Sequence, residues 1–273
     1  MSARPKKSYG QHFLHERGVI ERIVAAIAPQ PRDRIIEIGP GEGALTLPLL
    51  QAAGQLTAIE LDADLIEPLR ERAAGIGQLD IIHADVLKVD LAALAAGGRL
   101  RLAGNLPYYV SSPILFHCLA YPAVIEDMHF MLQKEVVERM AAAPGSKIYG
   151  RLSVMLQLAC RVEPLLHVAP GAFRPPPKVE SALVRLTPLA AGRPNPALSD
   201  SIDRVVRAAF GQRRKTLTNA LRGVLGAEGI RAAGIDPGAR AESVPPKGFV
   251  ELARQAQTTR LQAGPHLTDN DSQ

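Results

Sequence analysis

Tryptophan is absent from this 273-residue chain, aromatic residues make up 4% of it, and only two cysteines occur, Cys118 and Cys160. With no second pair to make a Cys-x-x-Cys set, neither a zinc site nor a disulfide framework is expected. Rows of stacking rings are missing too, which counts against a module that holds single strands by stacking alone. No apolar run reaches about 18 residues, so no membrane span and no membrane partner are expected. Arg4, Lys6 and Lys7 lie in a basic start that no apolar stretch follows, unlike a secretory signal, and the expected compartment is the cytoplasm. What is present is a 47% hydrophobic chain, enough for one large or two moderate cores, with a net charge of +5.

That charge is unevenly placed. Residues 1–34 carry seven basic and three acidic side chains, residues 35–130 five and twelve, residues 131–189 eight and four, and residues 190–257 eleven and six. An acidic middle therefore lies between basic flanks. The acidic stretch alternates short apolar runs with helical segments, the pattern of a parallel α/β sheet. Strands are expected at 35–38, 56–61, 79–83 and 100–103, with later ones at 128–132 and 182–186; Met128, Phe130 and Met131 read as core. Residues 189–196, with two prolines and a glycine, read as a linker. Helices are expected beyond it at 200–210 with an acidic cap, 216–225 and 249–257. The expected organisation is an α/β domain over 1–189 with a basic N-terminal arm, a small all-α domain over 190–257, and a disordered tail over 258–273.

Gly39-x-Gly41-x-Gly43 lies between an expected strand and an expected helix, the context in which a glycine motif has meaning. Glycines there let a ligand approach the backbone and leave the next helix N-terminus open. Glu60, 21 positions after Gly39, ends the next strand, where a ribose-binding carboxylate belongs in a doubly wound fold. Gly39, Gly41 and Ala44 also satisfy a dinucleotide pattern, so a nicotinamide cofactor stays open. Two details favour S-adenosylmethionine. Glu37 puts a carboxylate just ahead of the glycines, which suits a cationic sulfonium better than a pyrophosphate, and Asp85 ends the third strand, where it can accept from an adenine amine. The competing role for Glu60 and Asp85 is helix capping.

The fourth strand runs into Asn105-Leu106-Pro107-Tyr108. Such a tetrapeptide suits methylation of an exocyclic amine, whose lone pair is delocalised into its ring. Hydrogen bonds from the amine to the Asn105 side-chain oxygen and to a backbone carbonyl freed by Pro107 localise that pair, and Tyr108 offers a face on which the base stacks. An ordinary turn has the same composition. Its position at the carboxyl end of a strand, one element after Asp85, favours the functional role.

Residues 9–14 (Tyr-Gly-Gln-His-Phe-Leu), 37–41 (Glu-Ile-Gly-Pro-Gly), 105–108 and 173–182 (Phe-Arg-Pro-Pro-Pro-Lys-Val-Glu-Ser-Ala) together resemble the signatures of the rRNA adenine N6,N6-dimethyltransferases. Within that family the chain is similar to the bacterial KsgA (RsmA) branch, over about residues 7–257. The resemblance implies a Rossmann-like class I S-adenosylmethionine-dependent methyltransferase domain followed by a small all-α domain. It also implies dimethylation of two adjacent adenosines near the 3′ end of small-subunit rRNA. By the same resemblance His12 and Leu14 close over the cofactor, Gly39 touches its methionine part, and Glu60 holds the ribose. Asp85 then meets the adenine, Asn105 lies between cofactor and target, and Phe173 sandwiches the flipped base against Tyr108. The family more often has Asn at the positions of His12 and Tyr109.

Lys6, Lys7, Arg213, Arg214 and Lys215 are the basic runs placed to meet phosphate, the last three before an expected helix whose positive end disfavours them unless an anion is near. His12, His15 and Glu16 match no zinc pattern, and no metal is expected. The expected partner is the small ribosomal subunit with its rRNA, met by a monomer. Three other readings stay open: an Erm-type large-subunit methyltransferase, a ribosome-assembly factor with secondary chemistry, and a nicotinamide oxidoreductase. Leu106 and Pro113 favour the small-subunit branch over the Erm branch.

Overall fold

The computed structural model describes residues 11–31, 33–189 and 196–262, and the chain forms two units, 1–141 with 159–192 and 142–158 with 193–273. In the first, β1 (Phe13–Leu14) leads into α1 (Arg17–Ile27), capped by Glu16, which accepts from the N–H groups of Gly18 and Val19. The chain then alternates through β2 (Arg34–Ile38), α2 (Thr46–Ala53), β3 (Gln55–Glu60), α3 (Ala63–Ala73), β4 (Gln78–His83), α4 (Leu91–Ala95), β5 (Leu100–Asn105), α5 (Ser111–Cys118) and β6 (Ile125–Gln133). Helix α6 (Lys134–Ala141) follows, and β7 (Cys160–Val168), β8 (Phe173–Arg174) and β9 (Ser181–Pro188) complete the unit.

Seven strands form one sheet in the order β4-β3-β2-β5-β6-β9-β7, parallel from β4 to β6, with β9 antiparallel to both its neighbours. Strand β2 reads Arg-Ile-Ile-Glu-Ile and is buried after its first residue, as a strand covered on both faces must be. From β2 the chain passes first to β3 on one side and later to β5 on the other. The crevice at the carboxyl ends of β2 and β5 is therefore the switch point of the sheet, where ligands bind in such folds. Gly104 narrows that crevice, since a Cβ there would lie 2.5 Å from the Ile38 carbonyl oxygen. At the opposite end, Arg101 donates to Asp33 at 2.6 Å, to Asp127 at 2.8 Å and to the Ile27 carbonyl, pinning the end of α1 beneath β5 and β6.

The doubly wound pattern expected from the sequence is present, and Met128, Phe130 and Met131 are fully buried. Strand β7 was not expected: its alternation is broken at Pro164, where the register with β9 shifts. The two-stranded ladder of β1 with β8 is too short to leave a periodic signal.

The second unit contains α7 (Arg151–Ala159) through Leu158, then α8 (Pro196–Gly211), α9 (Leu217–Ala220), α10 (Ala227–Ala232) and α11 (Pro246–Gln262). The expected boundary at 189 lies close to one crossing, between 192 and 193, but the expected division is incomplete, because 142–158 also belong here. Tyr149 and Val154 are fully buried among Ile202, Val205, Leu252 and Phe249, and the Tyr149 hydroxyl donates to the Val244 carbonyl at 2.9 Å. Asp200 lies inside α8 instead of capping it, and the helix expected over 216–225 is regular only over Leu217–Ala220. The tail expected from 258 is also shorter, since α11 continues to Gln262; residues beyond it lie outside the described residues.

Candidate active site

At the switch point lies a cavity of about 240 Å³ whose walls come from the ends of β1 to β5 and the turns that follow them. Of the expected site residues, His12, Leu14, Gly39, Gly41, Glu60, Asp85 and the tetrapeptide Asn105 to Tyr108 all line it. The glycine turn is tied to β3 by the Gly39 N–H, which donates to the Ile59 carbonyl at 2.9 Å. Gly39 has φ +67 and nothing within 4 Å of where its Cβ would stand, so the space beside it is open for a ligand. Gly41 has φ +57, and a Cβ there would lie 3.0 Å from the Phe13 ring. Neither turn position tolerates a side chain without strain.

Five carboxylates line this cavity, Glu37, Glu42, Glu60, Asp62 and Asp85, and three of them matter most for a ligand. Glu60 accepts from the N–H groups of Asp62 at 2.8 Å and Gly41 at 3.2 Å, which fixes its head while each oxygen keeps a further lone pair. Burial raises its pKa above the ordinary value, and these backbone donors oppose the rise. Asp85 caps a short 3₁₀ turn, its Oδ1 accepting from the Leu87 N–H at 3.0 Å. Capping uses one oxygen, so the cap does not exclude a ligand at the other. Glu37 is 2% exposed, and its Oε2 has no hydrogen-bond partner. Burial pushes its pKa up to about 7, Thr46 opposing and the charge of Glu60 adding to it. A buried carboxyl oxygen left without a donor is costly unless a ligand supplies one.

Asn105 ends β5, and its Nδ2 donates to the His12 carbonyl at 2.9 Å, leaving the side-chain oxygen as the acceptor it presents. The His12 Nδ1 lies 2.7 Å from the Pro175 carbonyl oxygen, an acceptor only, so this nitrogen carries the proton. Its ring stacks beside Tyr108, with centroids 6.0 Å apart and planes 26° from parallel. The Tyr108 hydroxyl is 2.7 Å from Ser181 Oγ, and partial burial raises its pKa. Ser181, absent from the expected site, is the residue that fixes the Tyr108 ring; its place in the 173–182 signature was the available clue. Leu61 and Leu87, one and two residues after carboxylates of the site, offer exposed apolar surface to the cavity without any distinguishing local pattern.

Two expectations are corrected here. Phe173 does not line the cavity: it is 2% exposed and packs in the core with Leu14, Met131 and Leu183, paired across the β1–β8 ladder with Leu14. Its ring is held by apolar packing and presents no face to a base. Arg213 donates to Glu242 at 3.0 Å and to the Lys147 carbonyl at 2.5 Å, so its guanidinium is used inside the helical unit. Arg214 and Lys215 are exposed, whereas Lys6 and Lys7 lie outside the described residues. Among the described residues no group of three or more His, Cys, Asp or Glu is arranged to hold a metal, and both cysteines are buried.

A doubly wound sheet with a glycine turn, a ribose-type carboxylate after β3 and an Asn-Leu-Pro-Tyr end to β5 defines a class I S-adenosylmethionine-dependent methyltransferase. The profile of the family described as Ribosomal RNA adenine dimethylase matches residues 2–258, and the chain belongs to that family. Ribosomal RNA small subunit methyltransferase A of Xanthomonas campestris pv. campestris is 59% identical over 252 residues, 92% of this chain and 96% of that protein. Its counterpart from Xylella fastidiosa is 57% identical over 259 residues, 94% of this chain and 98% of its own length. Among solved structures, a dimethyladenosine transferase from Plasmodium falciparum superposes with a TM-score of 0.76 at 25% identity, over 91% of this chain and 98% of that one. The 23S rRNA methyltransferase ErmE superposes with a TM-score of 0.70 at 28% identity, over 90% and 99%. The protein is thus an S-adenosylmethionine-dependent rRNA adenine dimethyltransferase.

Proposed function

We propose that this enzyme methylates N6 of two adjacent adenosines near the 3′ end of small-subunit rRNA, each to the dimethyl form, acting as a cytoplasmic monomer on the ribosomal particle during its biogenesis. The observation that carries the chemistry is Asn105: the His12 carbonyl holds its amide nitrogen, so its oxygen is the acceptor turned to the cavity beside Tyr108.

The cavity suits the cofactor on its own evidence, because the orphaned oxygen of Glu37 and the open space at Gly39 call for a cationic ligand pressed against the turn. Glu37 and Gly39 hold the methionine part, Glu60 the ribose hydroxyls, and Asp85 with Leu61 and Leu87 the adenine. When bound, the cofactor supplies an electrophilic methyl on a sulfonium.

The target base stacks on Tyr108, whose tilt Ser181 fixes. The target amine donates to Asn105 Oδ1 and to the Leu106 carbonyl, which Pro107 leaves without a following N–H, so its lone pair points away from the ring and in line with the methyl. The alkylated amine is acidic and loses its proton without a strong base.

Mass-spectrometric mapping of rRNA from cells with and without the protein tests this. Two adjacent dimethyladenosines in small-subunit rRNA, lost in the knockout and in Asn105→Ala, are expected; a modified large-subunit adenosine would support the Erm-type reading instead. Maturation of particles in the Asn105→Ala strain measures any separate assembly role. The helical unit supplies the remaining RNA contacts through Arg214 and Lys215, with Lys6 and Lys7 of the N-terminal arm.

A further inference from the structure

The segment from β8 to the start of β9, residues 173–181, is fastened at both ends to the ring on which the base stacks. Near one end the Pro175 carbonyl accepts from His12, whose ring lies against Tyr108, and at the other Ser181 bonds the Tyr108 hydroxyl. Phe173 and Pro177 are buried, so the segment is also anchored from beneath. Three charged residues stand on it, Arg174, Lys178 and Glu180, all exposed. Glu180 is occupied, with Lys134 at 2.8 Å and His167 at 3.1 Å. Among the described residues Arg174 and Lys178 make no ion pair. A loop that frames the stacking ring thus keeps two cations uncompensated while its single acid is neutralised.

We infer that Arg174 and Lys178 bind the backbone phosphates that flank the flipped adenosine, an anion site separate from the cofactor cavity. A base taken out of its stack is held only as well as the strand on either side of it, and phosphate contacts fix that register. Arg174 offers a planar fork to phosphate oxygens and Lys178 a point charge. Neither lines the cofactor cavity, so their work is on the RNA side of the reaction. This rests on the proposed function, since it takes the strand on Tyr108 to be rRNA.

Arg174→Ala, Lys178→Ala and the double variant are to be compared with the parent enzyme on undimethylated small-subunit particles over a salt series, by particle binding and by methyl transfer. The double variant is expected to bind particles about tenfold more weakly, and the slope of log K against log salt to shrink by about 1.4, two contacts at about 0.7 each on a single strand. Its kcat and its calorimetric affinity for S-adenosylmethionine stay at the parent's values, and Arg174→Lys with Lys178→Arg restores most of the binding. Unchanged particle affinity and salt slope would overturn the inference, as would a fall in kcat with affinity unchanged, which would reduce the loop to a support for Tyr108. A parent enzyme that binds particles but leaves them unmethylated sinks the proposed function alone, because the binding arm still reads the two cations.

Discussion

Glu37 shows how far a single side chain was legible. Its position ahead of the glycines suggested a partner for a cation, but its orphaned oxygen and its rise to about 7 come from packing that no one-dimensional pattern contains. Between its ordinary 4.5 and about 7 the folded enzyme without ligand holds a proton that the unfolded chain has lost. Stability of that form therefore falls as pH rises through this window and levels off above it. A cationic ligand prefers the ionised carboxylate. Calorimetry should show S-adenosylmethionine affinity falling as pH drops below about 7, by up to about tenfold per unit, and Glu37→Gln should flatten that dependence. Asn105→Ala should lower kcat about 100-fold or more, the scale of losing one positioned polar contact, while calorimetric cofactor binding persists. Phe173 is the opposite lesson: its neighbourhood in the sequence pointed to base stacking, and the ladder with β1 turned it into the core. Phe173→Ala should therefore cost about 3–5 kcal/mol of stability in denaturant titration, a loss that a merely cavity-lining ring would not produce.

At the scale of elements, strands set between helical segments in the parallel part of the sheet were readable, and the proline-interrupted β7 was not. β2, β3 and β5 declare themselves by short segments rich in Ile, Leu and Ala, whereas β7 carries Arg161, Glu163 and Pro164 and is defined only by its partner β9. The crevice depends on a contact equally hidden in the sequence, the approach of β5 to the end of β2 at Gly104. Gly104→Ala should push the strand ends apart, cost about 1–3 kcal/mol by overpacking, and weaken cofactor affinity together with the denaturation midpoint. Because Asn105 follows directly, methyl transfer should fall further than cofactor binding does.

Over the whole molecule, the uneven charge of the sequence corresponds to a division of labour. The acidic middle lines the cavity with its carboxylates, and the basic flanks supply the loop cations and the exposed pair Arg214 and Lys215. The boundary between units was legible only in part: the linker marks one crossing of the chain, while the crossing near 141 shows only a short Pro144-Gly145-Ser146 turn and the one near 159 falls at the end of α7. A fragment ending at 189 should accordingly expose Tyr149 and Val154, bind a hydrophobic dye and aggregate in size-exclusion chromatography. The same fragment with 142–158 replaced by a short polar loop should stay monodisperse and bind S-adenosylmethionine.

That excursion of the chain also sets an order of events on the ribosome that makes the protein. Residues 142–158 leave the exit tunnel about 90 residues before Phe249, the ring they are buried with, at roughly 5–20 residues per second. For some seconds a nascent chain can complete its sheet while the apolar side of α7 has nothing to cover it. The interval in which this protein most needs a chaperone is thus written into where one helix was inserted.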